Sequence, residues 1–506
     1  MSMEAARNES YDVIVIGGGI NGTSAVRELC AAGYKTLLVE KGDFANGASG
    51  RSSRILHCGL RYFETRHPVR TFASSPLKLK NAIAMARAAM NAREELVRLQ
   101  PMRCKPFKMC FPLYQADDLR GWHLDIGLSL LNRLGSGRLP LEYQRHKHNF
   151  DNSVPLAKDL RDRNQLKSIA TYREYIIDWP DRLCVDAAIE AEKLGADIRL
   201  FTSASIREKN SEGLWQVDLS SSDRGMSSAF APVILNLAGT WIDDVLQSVF
   251  RKRDDRLIHG TKGAHIVVRL PDYYRGHGIA ALNRLGMPIY CLPFKDDLYH
   301  IGPTETSFDG DASNVRTDDT DIEFLLGEIN FLLPVLKLTK RNVEFTWAGV
   351  RPLTFNAKNP DGDRVRQIHD LKDKGHSGIF AMTAGPVMSH MSAGRELLAT
   401  VDANIPMRRD RQGSEMQQTN TTLGAGKGAP SFRHYVSREH AQDLKGIFYT
   451  RSGIGWGRHI DRATATHAAN EIADLLGWEP GQIEQEVDSF LEHQREIYRS
   501  GELARS

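Results

Sequence analysis

The sequence predicts an α/β fold with three domains, and three patterns along the chain support this prediction. The chain opens with a βαβ unit that contains a glycine-rich turn. Short apolar strands separated by turn residues follow through the middle of the chain. Helical periodicity dominates the end of the chain. We therefore expect a Rossmann-like dinucleotide-binding domain, a substrate domain with an antiparallel sheet and a C-terminal helical domain.

The predicted domains interleave in sequence. Residues 11–400 form the nucleotide-binding domain, and the substrate domain is inserted into it as two segments, at about 75–165 and about 256–345. Residues 408–430 are rich in Gln, Thr, Ser and Gly and are predicted to be a linker. Residues 431–506 form the C-terminal helical domain.

Periodicity and turn residues predict the remaining elements in order. Strands are predicted at residues 102–113, 170–178, 197–203, 215–219, 231–237, 262–268, 288–293, 298–305, 347–353 and 379–385, with a polar hairpin at 220–228. Helices are predicted at residues 69–99, 120–134, 181–191, 321–333, 388–401 and, with breaks at glycines, 434–498.

The opening βαβ unit has an apolar strand at residues 13–16 and a second strand at residues 36–39. Between them, Gly17, Gly19 and Gly22 form a G-x-G-x-x-G turn that opens a helix. Such glycines permit a tight turn, a close approach to a pyrophosphate and close packing of the helix on the strand. The helix N-terminus offers N–H groups and a partial positive charge to the anion. This context predicts a dinucleotide-binding site.

Two further features after the βαβ unit help to identify which dinucleotide it binds. Glu40 follows the second strand, 23 residues after Gly17, where its carboxylate can accept hydrogen bonds from ribose hydroxyls. A small-residue run at 45–53 comes next. A βαβ unit near the N-terminus, continued in this way, resembles the FAD-binding fold of the glutathione-reductase and D-amino-acid-oxidase type. The resemblance implies FAD contacts from Gly17, Gly19, Asn21, Gly22, Glu40, Ser52, Ser53, His57, Ala238, Gly239 and Gly385.

A longer motif resembles a specific family. Residues 46–64, NGASGRSSRILHCGLRYFE, are similar to the segment T-S-S-x-S-S-K-L-I-H-G-G-L-R-Y-L-E of the FAD-dependent glycerol-3-phosphate dehydrogenases. Residues 262–268 resemble that family's K-G-S-H-I-V-V, residues 301–305 its I-I-G-T-T-D, and residues 347–353 its S-G-V-R-P-L. These motifs occur in the family's order and span nearly the whole chain. The chain is therefore identified as a divergent member of the family.

The resemblance implies an activity and residues for it. The activity is oxidation of sn-glycerol 3-phosphate, or a related polyol phosphate, to the ketone, which for glycerol 3-phosphate is dihydroxyacetone phosphate; hydride passes to the flavin and electrons pass on to a quinone. We expect His265 to accept the alcohol proton, since an imidazole with a pKa of about 6.5 suits that task. We expect Arg351, whose backbone is restricted by the following proline, to bind phosphate or polarise the ketone oxygen. The expected substrate contacts are Arg61, Tyr62, Arg364 and His390, and Arg366 is an open alternative to Arg364.

Departures from the family suggest a shifted substrate. Where the family has the lysine of G-G-K-L-T-T-Y-R, this chain has Pro386, a residue that suits the first turn of a helix. Cys58 replaces a family glycine and Pro303 a threonine. Our hypothesis is a longer polyol phosphate, such as erythritol phosphate, with His390 as an added donor. Two other readings remain open: an oxidase of the same fold that uses oxygen, and a flavin-binding protein without catalysis.

Composition sets further limits. The 66 Lys and Arg nearly balance the 63 Asp and Glu, giving a net charge of +3, so a nucleic-acid partner is not expected. Six scattered cysteines predict free thiols in a reducing compartment. No metal-ligand cluster is evident. The polar start of the chain and its lack of a long apolar run predict a cytoplasmic protein, in peripheral contact with the membrane face if its acceptor is a lipid quinone. We also expect a homo-oligomer.

Overall fold

The computed structural model describes residues 9–63, 72, 74–117, 119–135, 137–250, 256–406, 430–501 and 503. The predicted linker at 408–430 lies outside these residues, except for Pro430. The strands, in chain order, are β1 (Glu9–Ser10), β2 (Val13–Ile16), β3 (Thr36–Val39), β4 (Ile55–Leu56), β5 (Cys104–Tyr114), β6 (Gln144–His146), β7 (Leu166–Ile177), β8 (Asp197–Arg199), β9 (Thr202–Lys209), β10 (Trp215–Ser221), β11 (Gly225–Ala231), β12 (Val233–Asn236), β13 (Ile258–Arg269), β14 (His277–Leu282), β15 (Pro288–Lys295), β16 (Leu298–Gly302), β17 (Thr306–Ser307), β18 (Val343–Asn356), β19 (Asn359–Asp363), β20 (Gln367–Asp370) and β21 (Ile379–Thr383). The α-helices are α1 (Ile20–Ala31), α2 (Pro76–Leu99), α3 (Gly121–Leu134), α4 (Phe150–Ser153), α5 (Pro180–Lys193), α6 (Ile242–Leu246), α7 (Asp319–Leu332), α8 (His390–Asp402), α9 (Phe432–Glu439), α10 (Arg462–Leu476) and α11 (Pro480–Tyr498).

The nucleotide-binding sheet has six strands in the order β20-β21-β12-β2-β3-β8, and every neighbouring pair except β20 with β21 is parallel. All four residues of β2 are buried, as expected for a parallel strand that is covered on both faces. Helices α1, α5 and α8 pack on one face of this sheet, and a four-stranded sheet, β1-β11-β10-β9, packs on the other. The carboxyl ends of β2 and β3 therefore meet at the edge that carries the glycine-rich turn.

A second, larger sheet joins strands from two separate parts of the chain. Its order is β19-β18-β13-β16-β15-β14-β5-β7-β4, with β17 paired to β13 and β6 paired to β7. Its neighbours are antiparallel except for β14 with β5. The sheet includes β7 and all of β18, which extend beyond the predicted segment boundaries at about 165 and about 345. The division into domains stays a prediction.

Seven strands lie outside the predicted ones, namely β1, β4, β6, β14, β17, β19 and β20, and β11 overlaps a predicted hairpin. β14 is not predicted, because its Gly-Ile-Ala-Ala run is short and contains one β-branched residue. β11 begins at Gly225, inside the predicted polar hairpin at 220–228. Pairing with β10 satisfies the backbone of β11, so its polar side chains do not prevent strand formation.

The pairing of β13 with β18 sets the geometry of the candidate site. His265 lies opposite Trp347, and Thr261 lies opposite Arg351. The Arg351 side chain reaches across β13 at Gly263, where an added Cβ would lie 2.4 Å from Arg351 Nη2. Glycine at position 263 therefore leaves the space that the guanidinium occupies.

The C-terminal helices α9, α10 and α11 belong to a region that is joined to the nucleotide-binding unit by buried polar contacts. Arg182 on α5 makes a two-pronged ion pair with Glu439, with nitrogen to oxygen distances of 2.6 and 2.9 Å. The indole of Trp179 donates to the Tyr449 carbonyl at 2.9 Å. These contacts fix the helical region beside the carboxyl end of β3.

The cysteines and the helices are relevant to two predictions, free thiols and the lack of a membrane-spanning segment. All six cysteines are buried and free, which confirms the prediction of free thiols. Within the described part of the chain, no helix is both long and apolar enough to cross a membrane.

Candidate active site

A cavity of about 300 Å³ lies at the carboxyl ends of β2 and β3, and we call it the dinucleotide cavity. Helix α1 begins at this cavity, and its first turn carries no acidic side chain. The positive end of the helix is therefore available to an anion. The predicted cofactor residues that line the cavity are Gly17, Gly19, Asn21, Glu40, Ala238, Gly239 and Gly385.

Close packing explains two of the motif glycines. An added Cβ on Gly17 would lie 2.5 Å from the Leu237 carbonyl oxygen, and its φ of +116° lies in the region that favours glycine. An added Cβ on Gly22 would lie 1.9 Å from the Gly17 carbonyl oxygen. Gly22 thus lets α1 pack directly against the turn, although it does not itself line the cavity.

Glu40 is held at the end of β3 by backbone donors. The Gly18 N–H donates to Glu40 Oε2 at 2.6 Å, and the Gly42 N–H donates to Oε1 at 2.8 Å. Burial raises the pKa of Glu40, while these two donors act in the opposite direction. The glycine turn, the helix N-terminus and a fixed carboxylate in one cavity together fit FAD, with its pyrophosphate and ribose.

A second cavity, of about 190 Å³, adjoins the first, and we call it the arginine cavity. The two cavities share the lining residues Ala48, Pro352, Ala384, Gly385 and Val387. The predicted site residues that line the arginine cavity are Ser52, Ser53, His57, Arg61, Tyr62, His265, Arg351 and Arg364. The structure therefore brings both predicted catalytic residues and three of the four predicted substrate residues to one cavity; their roles stay predictions.

His265 is buried, with 1% of its surface exposed, and it is held from two sides. Its Nε2 lies 2.9 Å from Ser53 Oγ, within hydrogen-bond distance. Its ring stacks on Trp347 with 4.9 Å between ring centres and 15° between planes. Burial lowers the pKa of His265 well below 6.5, and His300, Arg351 and Arg54 lower it further. The imidazole is therefore neutral at neutral pH and has a lone pair to accept a proton.

This lowered pKa predicts the pH dependence of flavin reduction. Protonation removes the lone pair of His265 and takes place only below pH 6.5, the ordinary value for the group. We expect the rate constant of substrate-driven flavin reduction to be constant as pH falls to 6.5 and to decline only at lower pH. Anaerobic stopped-flow measurements across this range test the expectation, and a rate already halved at pH 6.5 or above would contradict it.

The contact with Ser53 predicts a smaller effect. Ser53→Ala removes the hydroxyl that orients the His265 imidazole, so we expect flavin reduction to slow by about fivefold to tenfold. Ser52→Ala is the matched control, because the Ser52 hydroxyl accepts from the Arg54 N–H at 3.3 Å and lacks a contact with His265. Equal rates in the two variants would show that the Ser53 hydroxyl does not orient the base.

The arginine cavity takes its positive charge from five lining arginines, which are Arg51, Arg54, Arg61, Arg351 and Arg364. Arg61 lies close enough to Arg351 to add to the effect of burial, which lowers the pKa of Arg351 to about 10. Arg364 forms an ion pair with Glu305. The residues that line the cavity include no aspartate or glutamate. Two closely spaced cations without a carboxylate among the lining residues can bind a phosphate dianion.

The choice between Arg364 and Arg366 follows from the contacts of Arg366. Arg366 donates to Ser389 Oγ at 2.9 Å and to Ser392 Oγ at 2.9 Å at the start of α8, and it pairs with Glu396. Arg366 thus fixes the start of α8, and Arg364 is the residue that lines the cavity.

Three expectations about this cavity need correction. His390 does not line it: His390 Nδ1 lies 2.6 Å from Ser24 Oγ, where α8 packs against α1, outside the arginine cavity. Cys58 is 1% exposed and belongs to an apolar core cluster, and its N–H donates to Glu174 at 2.9 Å. Pro303 is also absent from the lining. Of the three substitutions taken as evidence for a shifted substrate, only Pro386 lines the cavity.

Sequence reasoning missed two residues beside His265. Arg54 lines the cavity, and it occupies the lysine position of the S-S-K-L-I-H motif, which was the available signal. Thr304 fixes strand β13 next to His265, because its Oγ1 accepts a hydrogen bond from the Ala264 N–H at 2.9 Å. A threonine in a turn after a strand carries no comparable signal.

Comparisons with known proteins agree with this geometry. A family model described as FAD dependent oxidoreductase matches residues 12–399. A glycerol-3-phosphate dehydrogenase of Synechocystis sp. is 29% identical over 496 residues, covering 93% of this chain and 83% of that protein. A D-erythritol 1-phosphate dehydrogenase of Brucella abortus is 30% identical over 387 residues, covering 76% and 72%.

Solved structures resemble the whole fold. The glycerol-3-phosphate dehydrogenase of Bacillus halodurans complexed with FAD has a TM-score of 0.71 at 19% identity and covers 96% of this chain and 95% of that one. The L-alpha-glycerophosphate oxidase of Mycoplasma pneumoniae with FAD bound has a TM-score of 0.59 at 17% identity and covers 80% and 98%. The predicted FAD-binding fold class is confirmed.

Proposed function

Because this chain belongs to the FAD-dependent oxidoreductases, as a divergent relative of the glycerol-3-phosphate dehydrogenases, we propose that it oxidises a secondary hydroxyl of a phosphorylated polyol. One observation carries the proposal. A neutral, buried histidine lines a cationic cavity that opens into a dinucleotide cavity. That arrangement can hold a phosphorylated alcohol beside a flavin.

The chain's own residues have distinct tasks in this reaction. Arg61 and Arg351 bind the phosphate and orient the substrate. His265 removes the proton from the hydroxyl oxygen. The hydrogen on the carbon that carries this hydroxyl leaves with both bonding electrons, as a hydride, and a carbonyl group remains. Bound FAD, held by the glycine turn and Glu40, supplies the acceptor for the hydride. Burial of His265 keeps bulk water from protonating the base.

Our leading substrate is sn-glycerol 3-phosphate, with dihydroxyacetone phosphate as the product. A second candidate is a longer polyol phosphate such as erythritol phosphate. Two observations favour it: Pro386 lines the cavity where the family has a lysine, and a relative of 30% identity is a D-erythritol 1-phosphate dehydrogenase. Loss of the ammonium group alters the charge that faces the substrate.

Anaerobic reduction tests the proposal directly. The purified holoenzyme is mixed with glycerol 3-phosphate, erythritol 1-phosphate or a pentitol phosphate, and the absorbance of oxidised flavin is followed. We expect a phosphorylated polyol to bleach the flavin, and its unphosphorylated parent to do so far more slowly because Arg61 and Arg351 have no phosphate to hold. A flavin-loaded enzyme that none of the phosphates bleaches would overturn the proposal and favour a flavin-binding role without catalysis.

We propose that the electron acceptor is a quinone, as the family resemblance implies. We also propose that the protein is cytoplasmic and contacts the membrane face, and that it forms a homo-oligomer. The reduced enzyme is mixed with a soluble quinone or with oxygen. Fast reoxidation by the quinone supports the dehydrogenase, whereas fast reoxidation by oxygen with release of hydrogen peroxide supports an oxidase instead. Cosedimentation with vesicles and light scattering test the proposals on membrane contact and oligomerisation.

A further inference from the structure

Arg54 is a buried cation to which the proposed reaction gives no role. It is 2% exposed and lines the arginine cavity, and its φ of +60° is uncommon for a residue other than glycine. Its Nη1 donates to the Asp178 carbonyl at 3.0 Å, but Nε and Nη2 have no hydrogen-bond partner among the described residues. Burying a guanidinium with two unsatisfied donors is costly, and such costs concentrate at functional sites.

Three aromatic rings, which we call the aromatic cage, surround this guanidinium. Its central carbon lies 4.7 Å from the ring centre of Phe294, 5.4 Å from that of Trp347 and 4.2 Å from that of Trp456. Phe294 and Trp347 belong to the large sheet, whereas Trp456, the nearest, belongs to the C-terminal region. Cation–π attraction is strongest for a desolvated cation, so the cage stabilises the charge in place.

The cage connects Arg54 to the predicted base. Trp347 stacks on the His265 ring, and His300 lies edge-on to His265 with 5.7 Å between ring centres. Ser53, the residue before Arg54, hydrogen bonds to His265 Nε2. The charge of Arg54 is therefore fixed behind the proton acceptor by both the backbone and the rings.

We propose that Arg54 is a positioning residue for the oxidation: the aromatic cage holds its positive charge behind His265, and the C-terminal region takes part in the reaction by supplying Trp456. This inference rests on the proposed function, since it takes His265 as the proton acceptor. Arg54 touches neither substrate nor cofactor in this account. It acts on the reaction through His265.

The direction in which Arg54 shifts the pKa of His265 follows from the groups that surround these two side chains. His265 is faced by the charges of Arg54 and Arg351 and by the His300 ring, and Arg54 is faced by Asp178, Asp181 and Tyr498. A fixed cation disfavours the protonated imidazole, so it keeps the base free before the reaction and favours release of the proton afterwards. Removing the cation should raise the pKa of His265.

The test is the pH profile of anaerobic flavin reduction. In Arg54→Met we expect the acidic decline of the rate constant to move to higher pH by about one unit, the usual effect of losing a nearby charge. Arg54→Lys keeps the charge and should restore most of the wild-type profile. Trp456→Leu should shift the decline in the same direction by a smaller amount, and Trp456→Phe, which keeps a ring, should shift it least.

Controls separate this effect from loss of structure and from failure of the proposed function. Trp478→Leu removes a tryptophan from the same C-terminal core without a contact to Arg54, and it should leave the profile unchanged. Bound FAD is measured in every variant. A wild-type enzyme that no polyol phosphate reduces would overturn the proposed function and this inference with it. A reducible wild type whose acidic decline does not move in Arg54→Met would overturn this inference alone.

Discussion

Replacing His265 with asparagine is expected to slow substrate-driven flavin reduction by about a hundredfold to ten thousandfold while FAD remains bound. The imidazole of His265 lines the arginine cavity, is buried and is neutral at neutral pH, so it can accept a proton; a second buried histidine of the lining, His57, has a pKa lowered to about 3 by burial. Asparagine keeps a side chain of similar reach that can hydrogen bond to Ser53, but it has no basic lone pair near neutral pH. The variant therefore loses the proton acceptor and keeps a side chain of similar size.

The matched control is His390→Asn. His390 is also fully buried, burial lowers its pKa to about 4, and its hydrogen-bond partner is likewise a serine. It packs between α8 and α1 outside both main cavities, so we expect rates within about twofold of wild type, as for a site without transition-state contacts. If His265→Asn reduced its flavin as fast as His390→Asn, His265 would not be the base.

The contrast between these two histidines shows how far sequence reasoning reached at the site. His265 sits in a strand motif, where alternation along the strand predicted its face, and the structure places it in the lining of the arginine cavity; its role as the base stays a prediction. His390 follows a turn that leads into a helix, where a shift of one residue rotates the side chain by about 100°. The sequence could not resolve that rotation, and in the structure the ring packs against Ser24 and lies outside the arginine cavity.

A similar limit applied to the fold. Both strands of the βαβ unit were predicted to the residue, and the helix between them was expected, because strand, glycine turn and helix each carry a strong local signal. The single sheet that joins β4, β5 and β7 to β13–β18 was not evident, because its closing contact, the parallel pair β14 with β5, joins strands more than a hundred residues apart. Trp456 belongs to the core of the C-terminal region, but its contact with Arg54 depends on how that region docks, which no local pattern in the sequence encodes.

That docking leads to the second large prediction. Arg451→Met is expected to lower the free energy of unfolding by about 3–5 kcal/mol, because it leaves a buried carboxylate without its partner. Arg451 and Asp43 are 0% and 1% exposed, and Arg451 Nη2 lies 2.7 Å from Asp43 Oδ1. Arg451 Nε also donates to the Glu439 carbonyl at 2.8 Å. Asp43 lies three residues after Glu40, the predicted FAD-binding carboxylate, so loss of the pair should also weaken retention of FAD.

Arg433→Met provides the comparison for denaturation experiments on the holoenzyme. Arg433 pairs with Asp474 in the same helical region, but their side chains are 44% and 65% exposed, so solvent screens the pair and its loss should destabilise the protein far less than loss of the buried pair. The double variant Asp43→Asn with Arg451→Met removes both charges and should regain part of the lost stability. If Arg451→Met were no less stable than Arg433→Met, the buried ion pair would not be what holds the C-terminal region against the loop that follows β3, and the position of Trp456 beside Arg54 would need another support.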